Sequence, residues 1–151
     1  MKAVKLPDAK TELDKISNLE GVESFRMERY QLIIRTKPLS AKNLKRDRAT
    51  FGTFTITIWV PEAKVESIKN DTPVGHNGYL WHHLYTEENG TTCWGNAGDQ
   101  IAQKGAERDI PGLVAIVIDF LQVGRSSSPV YQMFLLRNKE EKEKKKVKVK
   151  K

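Results

Sequence analysis

The residues able to do chemistry gather in one tract, Trp81-His82-His83-Leu84-Tyr85-Thr86-Glu87-Glu88-Asn89-Gly90-Thr91-Thr92-Cys93-Trp94-Gly95-Asn96. The surrounding segment 71–109 holds all three histidines, two of the three tryptophans and the only cysteine. A thiol flanked by Gly90, Thr91, Thr92, Gly95 and Asn96 belongs in a loop, where exposed backbone N–H groups can stabilise a thiolate or an oxyanion. The competing reading is a small buried hydrophobe, the commoner fate of a lone cysteine. A Cys–His hydrolase would take a nearby histidine as base, yet nothing marks a third, orienting group. His76, His82, His83 and Cys93 match no zinc spacing, and adjacent His82 and His83 point in opposite directions if extended, so no metal is expected. Gly95-Asn96-Ala97-Gly98 does not lead from a strand into a helix with Lys-Ser or Lys-Thr, which argues against a phosphate loop.

Positioning this tract requires a scaffold, and 151 residues suffice for one domain with its own core. Leu13, Ile16 and Leu19 recur at helical spacing, which predicts a first helix over Ala9–Leu19, with Thr11 and Asp14 as a capping pair and Glu20-Gly21 as its stop. Phe25–Arg35 alternates as a strand. Lys37–Thr50 is a basic hairpin loop. In Phe51–Val60, Phe54, Ile56, Ile58 and Val60 face one way and Thr53, Thr55, Thr57 and Trp59 the other, a strand that Pro61 ends. Val65–Ile68 adds a further strand to an antiparallel meander of about four. Regular periodicity then lapses, and 71–109 reads as a long loop. Asp109 and Pro111 open a buried helix through Leu121, with Gly124 as its stop. Ser126–Pro129 is a turn, and Val130–Leu136 is an apolar segment of either type.

The net charge is +7, and residues 139–151 contribute eight Lys against three Glu. The other 138 residues carry 18 basic and 16 acidic side chains, so the excess belongs to a Lys-rich tail, 139–151, beyond a single domain, 1–138. Such a run is a solvated helix end or a disordered extension, with an anionic partner as the alternative. A near-neutral body offers no second basic patch, so nucleic acid is not the expected partner. The longest apolar run, Leu113–Leu121, contains Asp119, which excludes a membrane span. With no signal-peptide pattern and one cysteine, the expected location is cytoplasmic.

Element order and the Cys93 tract together resemble the ubiquitin-conjugating enzyme family, including its divergent prokaryotic members, over roughly Ala9 to Val130. Phe51-Gly52-Thr53-Phe54-Thr55-Ile56-Thr57-Ile58-Trp59-Val60-Pro61 is similar to the family's stretch in which glycines open a strand that closes at a proline. His83, ten residues before Cys93 with Asn89-Gly90 between, is similar to the signature of a His-Pro-Asn start, an Asn-Gly or Lys-Gly turn and a catalytic Cys. The buried helix and then Ser128-Pro129-Val130 resemble the central helix followed by Asp-Pro and an aliphatic residue.

The resemblance implies a UBC-like α+β fold: an N-terminal helix, a four-stranded antiparallel meander, a long active-site loop, a buried central helix, and C-terminal helices reduced or absent. It implies a thioester-forming transferase without metal or organic cofactor. Cys93 would accept a ubiquitin-like modifier from an adenylating, activating enzyme and pass it to a lysine of a protein substrate. The supporting residues implied are His83, Asn96 or a backbone N–H for the oxyanion, and Ser128 in place of the acidic residue near the attacking lysine. Leu84 and Tyr85 stand where the family has Pro and Asn. The alternative is a non-catalytic UBC-like binding or scaffold protein in which Cys93 is incidental. By analogy, the first helix and the Lys42–Arg48 loop would face the activating enzyme.

Overall fold

A computed structural model describes residues 9–149, with the backbone alone for Ala9, Lys10, Asn96 and residues 145–149. Four helices and antiparallel sheets make it an α+β chain. Helix α1 (Ala9–Ser17) buries Ile16 against the core. Gly21, at φ +94°, turns the chain into the sheet, where a Cβ would stand 3.0 Å from Ile118 Cγ2. Only glycine meets both demands cheaply.

The segment expected to be one strand, Phe25–Arg35, folds back on itself. Strand β1 (Val22–Glu28) and β2 (Gln31–Thr36) pair antiparallel, with Glu28 opposite Gln31 and Arg29 at φ 55° in the two-residue turn. The turn lacks the Asn-Gly pair that usually announces it, and β1 is largely exposed, so it shows little inward alternation. Phe51–Val60 also divides. Gly52, at φ +121°, kinks the chain where a Cβ would lie 2.8 Å from Asn70 Oδ1. Phe51 therefore belongs to β4 (Thr50–Gly52), which pairs with β3 (Leu39–Ser40), while Phe54–Trp59 forms β5. In β5 the expected alternation is present, with Phe54, Ile56 and Ile58 fully buried. A 3-10 turn at Val60–Glu62 ends it, and β6 (Lys64–Asn70) returns. The order β1-β2-β5-β6 is the expected four-stranded meander.

Residues 71–109 are not the structureless loop expected. They contain a three-stranded antiparallel sheet, β7 (Val74–His76), β8 (Tyr79–His83) and β9 (Thr86–Glu87), then a 3-10 turn at Gly95–Ala97 and helix α2 (Gly98–Glu107). Asn77-Gly78, both at positive φ, makes the β7–β8 turn. That pair is a hairpin signal legible in the sequence. The strands are too short for their periodicity to stand out.

Helix α3 (Ile110–Leu121) begins as expected. Asp109 Oδ1 accepts from the Gly112 N–H at 2.9 Å, and Pro111 sits in the first turn. Leu113, Val114, Val117 and Leu121 are wholly buried, each stabilising the fold by roughly 2 kcal/mol. The helix stops before Gly124, with Gln122 as its C-cap. Gly124 instead permits a close approach, since a Cβ there would fall 2.7 Å from both Ala41 Cβ and Tyr131 Cε2.

The C-terminal segment, where helices reduced or absent are expected, forms one long helix, α4 (Pro129–Val149), which passes Lys139 without a break. Val130, Tyr131 and Phe134 anchor its first turns in the core. Tyr131 Oη accepts from the Ala49 N–H at 2.9 Å and donates to the Asp47 carbonyl, tying α4 to the basic loop. Asn138 Oδ1 accepts from the Thr50 N–H at 2.7 Å. Beyond these anchors, the Lys/Glu run consists of good helix formers, so propagation continues once the apolar turns are fixed. Among the described residues, no helix is long and apolar enough to cross a membrane.

Candidate functional site

Cys93 is held by a turn fastened to the sheet. Gly90 lies at φ +85°, its N–H donating to the Glu87 carbonyl at 2.9 Å and its carbonyl accepting from the Ile68 N–H of β6 at 3.2 Å. A Cβ at Gly90 would stand 3.0 Å from Ser67 Cβ and 3.3 Å from the Ile68 carbonyl oxygen, so the residue must be glycine for the turn to seat. Asn89 Oδ1 accepts from the Thr91 N–H at 2.9 Å, and the Thr86 and Thr92 hydroxyls hydrogen-bond at 3.0 Å across the base. The Cys93 N–H then donates to the Tyr85 carbonyl at 2.8 Å. The outcome is an exposed thiol on a fastened backbone, two residues before the helical stretch Gly95–Glu107. The N-terminal end of such a stretch favours negative charge developing beside it.

Cys93 lines a cleft of about 330 Å³ with Trp81, Leu84, Tyr85, Glu87, Thr91 and Thr92. Tyr85 carries the polar group at the position where the resemblance expects asparagine. Its ring leans on Phe120 at 5.8 Å, and the Trp94 ring meets Phe120 at 5.0 Å, so both flanks of Cys93 rest on one aromatic of α3. A larger cleft, about 570 Å³, adjoins it, lined by Tyr79, Leu80, Trp81, Glu87, Glu88 and Asn89. Trp81 and Glu87, cross-strand partners on β8 and β9, belong to both.

The histidines divide into different roles. His83 is fully buried among Phe51 (ring centroids 4.7 Å apart), Phe120 (5.8 Å), Phe54 and Tyr85. Burial pushes its pKa down to about 4, against a smaller opposing effect of the Leu121 and Val123 carbonyls. Among the described residues neither ring nitrogen meets a partner at full hydrogen-bond geometry, the Leu121 and Val123 carbonyls lying close enough only to oppose the burial in part, and the ring does not line the Cys93 cleft. It acts as a neutral aromatic under Tyr85. His82 Nδ1 accepts from the Asn70 N–H at 2.9 Å, which leaves Nε2–H to donate to the Glu88 carbonyl at 2.9 Å. His82 thereby ties the Cys93 turn to the end of β6. His76, on β7, lines neither cleft.

Ser128 and Asn96 are not brought to the thiol by any described contact. Ser128 caps α4, its Oγ accepting from the Tyr131 N–H at 3.3 Å, and it is absent from the cleft lining. The Asn96 backbone lies in the 3-10 turn, and its side chain is outside the described residues. Sequence reasoning missed Tyr85, Glu87, Thr91 and Thr92 as cleft walls, although the Asn89-Gly90 turn was a legible sign that the chain folds back here. Among the described residues, no three His, Cys, Asp or Glu side chains form a metal-binding group. No family model, curated protein or solved structure matches this chain.

Proposed function

We propose that Cys93 accepts the C-terminal acyl group of a ubiquitin-like modifier from an activating enzyme and transfers it to an amine of a protein substrate. The observation that carries this reading is the exposed thiol held at the lip of a cleft by the Cys93–Tyr85 backbone bond. The order of elements supports it too, with a helix, a four-stranded meander, the Cys93 turn and a buried helix following one another. In the loading step Cys93 Sγ attacks the incoming thioester carbonyl, the activating enzyme's sulfur leaves, and oxyanion charge develops near the start of the helical stretch. His83, neutral and buried away from the cleft, supplies no base to Cys93. The departure of Leu84 and Tyr85 from the family's Pro-Asn favours the second reading, a binding protein that holds a modifier without forming the thioester.

The deciding experiment incubates the protein with an activating enzyme, its modifier and ATP, followed by reducing and non-reducing gels beside Cys93→Ala. The expected result is a higher-mass adduct that thiol removes and the variant lacks. No adduct from an activating enzyme that carries its own thioester refutes the catalytic reading.

A further inference from the structure

The near-neutral total over residues 1–138 conceals a polarised surface. The loop Lys42–Arg48 together with Arg125 holds five basic side chains against Asp47, while the other residues of 1–138 carry 13 basic against 15 acidic. Loop and Arg125 are distant in sequence, and the fold joins them. The Lys42 N–H donates to the Gln122 carbonyl at 2.8 Å, Asn43 Nδ2 donates to the Gly124 carbonyl at 2.9 Å, and Asn43 Oδ1 accepts from the Gly124 N–H at 2.7 Å. The bonds of Tyr131 to Ala49 and Asp47, and of Asn138 to Thr50, then lay the end of the loop along α4. Lys142 stands one turn, about 6 Å, beyond Asn138 on the helix face that meets Thr50. One basic strip therefore runs from Arg125 through Lys45, Arg46 and Arg48 to Lys139 and Lys142, all exposed. Among the described residues, none of these six lies within ion-pair distance of a carboxylate. Glu141, on the same helix, is turned to Arg137 at 3.9 Å.

We infer that this strip binds the phosphate backbone of double-stranded nucleic acid without reading its sequence. Six unpaired cations in a row, three of them guanidinium groups able to fork onto phosphate oxygens, match a line of phosphates. From Tyr131 to Val149 helix α4 is roughly 27 Å long, the span of about eight phosphates along one strand of a duplex. A membrane surface fits less well, because Val130, Tyr131 and Phe134 are spent in the core and residues 137–146 include no apolar side chain to insert. With Tyr131 and Phe134 buried, the strip also offers no ring on which unpaired bases could stack, which favours a duplex over a single strand. None of the six cations lines either cleft near Cys93, so the inference stands apart from the thioester reading.

The test is fluorescence anisotropy of a labelled DNA duplex of about 24 base pairs and arbitrary sequence, titrated with the full chain between about 50 and 200 mM KCl. The logarithm of the association constant should fall against the logarithm of salt with a slope of about −5, the value for six phosphate contacts, and a scrambled sequence should bind equally. An RNA duplex of matched sequence tells which polymer the strip fits better, and either one with this slope supports the inference. R46Q/R48Q, in the loop, and K139Q/K142Q, on α4, should each weaken binding about tenfold at the lowest salt and reduce the slope by about 2. R29Q/K64Q removes the same charge at the opposite end of the sheet, where Lys64 pairs with Trp59 and Trp59 with Gln31, and should leave the slope within about 0.5 of the parent. Equal urea midpoints across the variants show that a loss is not unfolding. If R46Q/R48Q behaves as R29Q/K64Q does, the lysines of α4 bind alone and the strip is refuted. Tighter binding of the single strand, equal competition by polyglutamate of the same charge, or tighter binding of phosphatidylserine vesicles at the same salt also overturns it.

Discussion

Replacing Gly90 by alanine separates two costs that the fold imposes on the Cys93 turn. Gly90 and Gly78 have nearly the same backbone conformation, φ +85° and +81°, but a Cβ at Gly78 would meet nothing within 4 Å. Gly78→Ala therefore carries only the left-handed penalty, about 1–2 kcal/mol. Gly90→Ala carries that penalty and the contacts at 3.0 Å with Ser67 Cβ and 3.3 Å with the Ile68 carbonyl oxygen. Backbone atoms of β6, paired in the central sheet, cannot retreat as a flexible side chain would, and overpacking of this kind adds about 1–3 kcal/mol. Urea denaturation should place Gly90→Ala about 2–5 kcal/mol below the parent and Gly78→Ala about 1–2 kcal/mol below it. Lifting the turn also breaks the 3.2 Å bond from the Ile68 N–H to the Gly90 carbonyl. Amide exchange at Ile68 should therefore accelerate in Gly90→Ala and stay unchanged in Gly78→Ala. If the two variants agree within about 0.5 kcal/mol and Ile68 exchange is unaltered, contact with β6 does not seat the turn that presents Cys93.

Two further outcomes follow from buried polar groups. The folded-state pKa of His83, about 4, lies below its ordinary 6.5, so the unfolded chain takes up this proton first as the medium is acidified. The stability it affects is full above pH 6.5 and falls through the window from 6.5 to 4, by about 3 kcal/mol in all. His83→Leu should remove that part of the acid slope in denaturation curves measured between pH 7 and 4; an unchanged slope would show that His83 is not held neutral. Asn70 Nδ2 donates to the Phe51 carbonyl at 2.7 Å and the His82 carbonyl at 3.0 Å, while its Oδ1 accepts from the Thr72 N–H at 2.9 Å. Asn70→Ala strands the buried Phe51 and His82 carbonyls and should cost about 3 kcal/mol by urea denaturation, and a loss under about 1 kcal/mol would mean that water replaces the side chain.

The sequence by itself determined the features whose causes are local. Alternation of Phe54, Ile56 and Ile58 specifies β5, and Asp109, Pro111 and an apolar run specify α3, because a pleat or a helical turn is set by residues a few positions apart. The loop placement of Cys93 was legible in the same way, from the polar and glycine residues around it, while its exposure was not. Tertiary structure alone decided what surrounds the thiol. Trp81 and Glu87 line its cleft through the pairing of β8 with β9, and Tyr85 is propped there by Phe120, 35 residues further along the chain. His83 and His82 are adjacent and equally suited to chemistry on paper. One is buried among aromatics with no partner at full hydrogen-bond geometry among the described residues and the other is locked by Asn70 and Glu88, a distinction made by the elements packed against them. The helical continuation of α4 through the lysines likewise depends on Tyr131 and Phe134 being seated in a core assembled from distant strands. Local propensity carries the helix on only after that long-range burial has nucleated it.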